Sequence, residues 1–139
     1  MSTLFTKIIE GELPGNFVWK DDQCVVFASI DPITPGHMLV VPRLEVAKFT
    51  DAPDDLLGHL MVVAKAVGRA GELAYDAPRA VMIIAGFDVD HLHLHVLPAW
   101  GQDQMTFARA QRATPEQLAD SCAKIRAALR ELGYAQVSD

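Results

Sequence analysis

Three of the chain's five histidines, His91, His93 and His95, fall within five residues. The stretch HLHLHVLP (91–98) alternates polar and apolar residues, the period of a half-buried strand. On such a strand the three imidazoles share one face, about 6.6–6.8 Å apart, and Leu92, Leu94 and Val96 take the other. A single histidine on a strand is ordinarily a hydrogen-bonded or half-exposed residue. Three in register gain nothing from packing and repel one another when protonated, so the row implies chemistry. Metal binding is one candidate, because neutral imidazole is a common ligand and adjacent pairs could share a zinc. The outer two, however, lie about 13 Å apart on a regular strand, so a metal would need ligands from elsewhere and leave one histidine over. Phosphate chemistry suits the row better. Imidazoles supply a nucleophile, donors to anionic oxygens and a proton carrier near neutral pH. The chain has no GxxxxGK[ST] loop, no GxGxxG and no GxSxG elbow to do that work instead.

The elements that must hold this row are legible around it. LFTKIIE (4–10) carries apolar residues at the spacing of a short amphipathic helix, broken by Gly11 and Pro14-Gly15. FVWK (17–20) and QCVVFASI (23–30) form a hairpin through Asp21-Asp22, and DPITPG (31–36) is an ordered turn leading into a strand HMLVVP (37–42). From Pro53 to Glu72 the pattern is helical, with Leu56, Leu60, Val63 and Val67 on one stripe. RAVMIIAG (79–86) reads as a buried strand. A last helix spans 114–132, with Thr114 as N-cap, Pro115 at the first helical position, Gln117 completing a capping box and Gly133 beyond the end. About five strands with a central and a C-terminal helix give an α+β fold on an antiparallel sheet.

The 139 residues suffice for one domain, 1–139, and no linker or repeat divides them. A formal charge of −6 excludes non-specific binding to nucleic acid or to an anionic membrane. The two cysteines, Cys24 and Cys122, lie outside any CxxC pattern, and the acidic start MSTLFTKIIEGE does not read as a signal peptide. The expectation is a soluble cytoplasmic protein.

HLHLHVLP resembles the signature strand of the histidine-triad (HIT) superfamily of nucleotide hydrolases and transferases. TLFTKIIEGELPG (3–15), VVFASIDPITPGHMLVVPR (25–43) and LLGHLMVVAKAVG (56–68) resemble the corresponding segments in order. The resemblance implies a HIT-like domain with its core at about 3–100, similar to the bacterial nucleotide-binding, phosphoramidase-like branch, and usually a homodimer. It makes His93 the nucleophile toward the α-phosphate of a purine nucleotide, through a covalent nucleotidyl-histidine. His95 would donate to the phosphate oxygens, His91 would support His93, and His37 would lie at the same site. Leu4, Phe5, Ile8, Phe27 and Ile30 would form the apolar nucleoside slot, with Ser29 or Asp31 at the ribose hydroxyls. His59, in the middle of the second helix, is expected to be structural.

Departures from the pattern bear on the substrate. Phe87 and Asp88 stand where Gln or Ser/Thr often assists the leaving group. A carboxylate there disfavours an ionised phosphate, but could protonate a leaving amine if its pKa were raised. Glu45 occupies the place of a histidine in many relatives and is expected to hydrogen-bond His91 and hold its tautomer. Relatives that carry structural zinc use cysteines where this chain has Thr3 and Thr6, so neither zinc nor any other cofactor is expected.

Overall fold

The computed structural model describes residues 2–139. Its elements run α1 (Leu4–Ile9), β1 (Phe17–Lys20), β2 (Cys24–Ala28), β3 (Met38–Pro42), α2 (Asp54–Tyr75), β4 (Arg79–Ile84), β5 (Leu94–Ala99) and α3 (Pro115–Glu131). The strands form one sheet in the order β1-β2-β3-β5-β4, and every neighbouring pair is antiparallel. This is the α+β architecture the sequence predicts. None of the described helices is long and apolar enough to cross a membrane.

Alternation along the strands divides the core in two. Val26, Val40, Leu94 and Val96 face α2 and α3, where Leu60, Val63, Val67, Ile125 and Leu129 complete the main cluster. Val25, Phe27, Leu39 and Val41 face the other way and pack with Phe5 of α1 into a smaller cluster. The helices therefore support one face of the sheet, and the opposite face is left to α1 and an open cleft.

The caps of α3 are those written in its sequence. Thr114 Oγ1 accepts from the Gln117 backbone N–H at 3.1 Å, and Gln117 Oε1 accepts from the Thr114 N–H at 2.8 Å. Helix α2 runs three residues past the predicted end, to Tyr75, where Asp76 enters the left-handed region at φ 49°. Gly36 (φ +89°) turns the chain into β3, and a Cβ there would lie 2.5 Å from Tyr75 Cε2. Only glycine fits that corner, which positions His37 immediately after it.

Two expectations change. The strand predicted over 91–98 begins only at Leu94, which pairs with Val40 of β3 and Ile84 of β4. Before it the chain stays unpaired with either strand, and the Leu92 N–H goes to the Val46 carbonyl at 2.7 Å. Strand β4, predicted to be buried, is an edge strand whose residues are half-buried or exposed. Its apolar run reflects a face that α2 only partly covers.

Candidate active site

His93 and His95 lie at the entry to β5 and His37 just before β3, so the pairing of these two strands sets the site. His95 stands opposite Leu39 in the ladder. The His93 and His95 ring centroids are 4.8 Å apart, and those of His37 and His95 are 5.2 Å apart. A backbone N–H only donates and a carbonyl only accepts, so the backbone partners of these rings fix their tautomers. The Ile33 N–H donates to His37 Nδ1 at 3.0 Å, which leaves the proton of His37 on Nε2. That Nε2–H donates to His95 Nδ1 at 3.0 Å, so His95 in turn carries its proton on Nε2. His93 Nδ1–H donates to the His91 carbonyl at 2.7 Å, so its Nε2 holds a free lone pair.

All three rings are held neutral. Burial, reinforced by His95 and His93, pulls the His37 pKa from 6.5 to about 3. Burial and His93 bring His95 to about 4. His93 is lowered chiefly by burial, against the opposing effects of the His91 carbonyl and Asp88.

His91 occupies different surroundings. It is fully buried and does not line the cleft, which corrects the expectation of three imidazoles facing one site. Its Nε2–H donates to the Pro42 carbonyl at 2.7 Å, and its Nδ1 accepts from the Thr3 hydroxyl at 2.6 Å. Thr3 is also the N-cap of α1, its Oγ1 accepting from the Thr6 N–H at 3.1 Å. The expected bond from Glu45 to His91 is not made. Glu45 is exposed and accepts instead from the Thr3 backbone N–H at 3.0 Å and from the Thr6 side chain, so it meets His91 only by way of these two threonines. Thr3, Thr6, Glu45 and His91 thus form a closed hydrogen-bond cluster. They do not fit a structural zinc, because the set contains no thiolate and both His91 nitrogens are engaged.

Beside His93 opens a cleft of about 520 Å³. Leu4, Phe5, Ile8, Phe27, Ser29, Ile30 and Asp31, the residues proposed from sequence for the nucleotide, all line it with His37, His93 and His95. Phe5 and Phe27 are buried and also belong to the small core cluster, while Leu4 and Ile30 are exposed at the edge. The Phe5 ring meets His93 edge-on at 4.9 Å and so limits rotation of that imidazole. The Asp31 carboxylate accepts from Arg112 Nε at 2.6 Å. Phe87 and Asp88 sit exposed on the loop at the opposite lip, and among the described residues no lysine or arginine lines the cleft.

Thr3 was not singled out from sequence as part of the site, whereas Phe107 and Arg112 belong to the polar segment 101–113, where the sequence offers Met105 and Phe107 as anchors and sets Arg109 and Arg112 either near a phosphate or, as the favoured reading, in solvent. Thr3 was read only as a missing zinc ligand, and its hydroxyl meets His91 across 88 residues of chain. Phe107 packs edge-on against His95 at 4.9 Å, which anchors the polar segment 101–113 at the cleft. An aromatic in that polar stretch was the available signal. Arg112, exposed as the favoured reading has it, still reaches the cleft's edge through Asp31. His59, expected to be structural, pairs with Asp21 at 2.8 Å, away from the cleft.

A HIT domain family model matches residues 10–101. An uncharacterized HIT-like protein of Methanocaldococcus jannaschii is 36% identical over 104 residues, covering 72% of this chain and 81% of that one. A second uncharacterized HIT-like protein, from Saccharolobus solfataricus, is 34% identical over 105 residues, covering 72% and 76%. Among solved structures, a zinc-bound histidine triad family protein from Mycobacterium smegmatis superposes with a TM-score of 0.82 at 29% identity, over 95% of this chain and 96% of that one. A hypothetical histidine triad nucleotide-binding protein from Sulfolobus tokodaii gives 0.81 at 26% identity, over 92% of each chain. With the family match spanning both His37 and the row His91, His93 and His95, the chain belongs to the HIT domain family.

Proposed function

We propose that the protein is a nucleotide hydrolase or transferase that attacks the α-phosphate of a purine nucleotide derivative, a phosphoramidate or a dinucleoside polyphosphate. His93 Nε2 forms a bond to phosphorus as the bond to the leaving group breaks, and the departing group takes up a proton. Water then attacks the nucleotidyl-histidine, releasing the nucleoside monophosphate and restoring His93. His95 Nε2–H donates to the phosphate oxygens and stabilises the charge that develops on them. The apolar slot of Leu4, Phe5, Ile8, Phe27 and Ile30 receives the base, with Ser29 and Asp31 toward the ribose. Asp88 stands on the leaving-group side.

The observation that carries this reading is the tautomer pattern. His93 presents a lone pair and its neighbour His95 presents a proton, each fixed through contacts that lead back to the backbone. The same contacts disfavour a metal centre built on the histidine row, since both nitrogens of His91 and one each of His37 and His93 are already committed. Mass spectrometry of the protein quenched while turning over an adenosine phosphoramidate tests the proposal. The expected result is an adenylyl adduct on a peptide containing His93. Turnover with no adduct on that histidine excludes the mechanism, and binding of AMP without turnover leaves only a nucleotide-binding module.

The working unit we propose is a cytoplasmic homodimer. The open edge of β4 and the exposed Met61 and Val62 of α2 border one apolar groove, which also holds Val81, Met82 and Val96. Both cysteines are free and buried, in keeping with a reducing compartment.

A further inference from the structure

Away from the cleft, the turn between β1 and β2 gathers an oxygen, a sulfur and a nitrogen ligand at one point. Asp21 Oδ2 lies 2.8 Å from His59 Nε2 and 3.5 Å from Cys24 Sγ. One ligand atom from each residue falls within 4.8 Å of the other two. Asp21 and Cys24 are separated by two residues on a tight turn, the loop length that short metal-binding knuckles use. His59 arrives from α2, so the three ligands come from two parts of the chain pinned together by the core.

We propose that Asp21, Cys24 and His59 form a binding site for a divalent transition metal of the zinc class, distinct from the histidine site. Zinc bonds of about 2.0 Å to oxygen and nitrogen and 2.3 Å to sulfur give tetrahedral edges of about 3.3–3.6 Å. The oxygen–sulfur separation is already of that length. The oxygen–nitrogen separation must open by about half an ångström to reach that range, and His59, whose side chain is 28% exposed, has room to supply the movement. That exposed side leaves the fourth position to water.

The second layer is in place. Asp21 Oδ1 accepts the backbone N–H groups of Gln23 and Cys24, both at 2.8 Å, and the Trp19 indole donates to Oδ2 at 2.9 Å. Such contacts orient a ligating carboxylate before the ion arrives. Oδ2 now faces three donors with two lone pairs, and the thiol, at 3.5 Å, is the weakest of them. Binding exchanges that thiol proton for the metal: the sulfur–hydrogen bond breaks, a sulfur–metal bond forms and one proton leaves to solvent, while the His59 proton now shared with Asp21 moves from Nε2 to Nδ1 so that the Nε2 lone pair meets the metal. Carboxylate, thiolate and dication then sum to zero charge, which keeps burial tolerable. Arg43, the nearest guanidinium, donates to the Asp21 carbonyl and leaves the carboxylate free. Without metal, burial and the Asp21 charge push the Cys24 thiol well above its usual range, so it stays protonated and inert. A sulfur ligand selects zinc, cobalt or iron over magnesium or calcium.

Cobalt(II) titration of the intact, chelator-stripped protein tests this. The expected result is one equivalent per chain with a thiolate-to-cobalt charge-transfer band, bleached by zinc. His59→Gln keeps a hydrogen bond to Asp21 while removing the imidazole, so it preserves the fold and abolishes the band. Cys24→Ser abolishes it as well, whereas Cys122→Ala and His93→Ala retain it. Absence of a thiolate band in the parent protein overturns the proposal. So does a band that survives His59→Gln, or one that vanishes with His93→Ala. These readouts do not depend on turnover.

Discussion

The Nδ1 atom of His93 lies 2.7 Å from the carbonyl oxygen of His91, two residues back on the same chain. Main chain thus orients the proposed nucleophile, and the side chain of His91 acts one step removed by anchoring that carbonyl's own residue. His91 is held at both nitrogens, by Pro42 and Thr3, so the segment that presents His93 is fixed although it lies outside the sheet ladder.

His93→Ala removes the only ring in the cleft whose Nε2 is left as a lone pair. Turnover of an adenosine phosphoramidate should fall by several orders of magnitude, the usual cost of losing a nucleophile. AMP affinity, measured by calorimetry, should stay within about threefold, because apolar contacts in the slot supply most of the binding. A comparable loss of affinity and of turnover would show that His93 acts in binding alone.

Thr3→Val deletes the donor to His91 Nδ1 and leaves a buried acceptor unpaired, at a cost of about 1–3 kcal/mol of stability. If Thr3 positions His93 through His91, kcat should also fall roughly tenfold, the equivalent of about 1.4 kcal/mol, with KM unchanged. Thr3→Ser should restore both. Glu45→Gln should do less, because Glu45 is exposed and meets His91 only by way of Thr3 and Thr6. A lower melting temperature with unchanged kcat would reduce Thr3 to a structural role.

What could be read from sequence follows from how local its cause was. The capping box of Thr114 and Gln117, and the alternation that sends Leu94 and Val96 to the core, depend on neighbours within four residues. The resemblance picked out His37 and the apolar residues that line the cleft with it because their order along the chain is itself the signal. The fate of His91 was hidden, since its partners Thr3 and Pro42 lie 88 and 49 residues away. Periodicity likewise could not reveal that β3 and β4 both stop pairing at Leu94. Edge and central strands both contain apolar runs, so β4 was mistaken for a buried strand.

Neutral histidines set the acid response. His37 and His95 titrate near 3 and 4 when folded, against 6.5 when unfolded. Between pH 6.5 and about 4 the unfolded chain binds protons that the folded chain refuses, so stability falls as pH is lowered through that window. Asp21 acts lower. Burial would raise its carboxyl, but hydrogen bonds from Trp19, Gln23, Cys24 and His59 bring it from 3.8 to about 2, so its stabilisation disappears only across that lower range. Chemical denaturation at pH 7 and 5 should show the histidine loss, and His95→Asn should flatten it. The acid limb of kcat/KM should likewise lie below pH 6.5, because His93 must stay unprotonated to attack.

Dimerisation is tested at Val62, which is 66% exposed on α2 although flanked by the apolar groove. Val62→Glu should turn the sedimenting species from dimer to monomer and leave the monomer fold intact, since Val62 touches little within its own chain. A parent protein that sediments as a monomer would remove the proposal.

Phe107 bears on the leaving group. Its ring meets His95 edge-on at 4.9 Å and is itself 46% exposed, so it forms the outer wall of the cleft beside the proposed phosphate donor. Among the described residues no lysine or arginine lines that cleft, and Asp31 and Asp88 are the carboxylates that do. Arg112, the cation beside the cleft, is already paired with Asp31, so a polyphosphate leaving group competes with that carboxylate for it, whereas an aromatic amine finds a ring to pack on. Phe107→Ala should therefore lower kcat/KM for an aromatic-amine phosphoramidate about two- to tenfold, in keeping with the roughly 0.5–1.5 kcal/mol that aromatic pairs contribute. It should change kcat/KM for a diadenosine polyphosphate little. Equal losses on both substrates would assign Phe107 to holding the His95 ring rather than to selecting the leaving group.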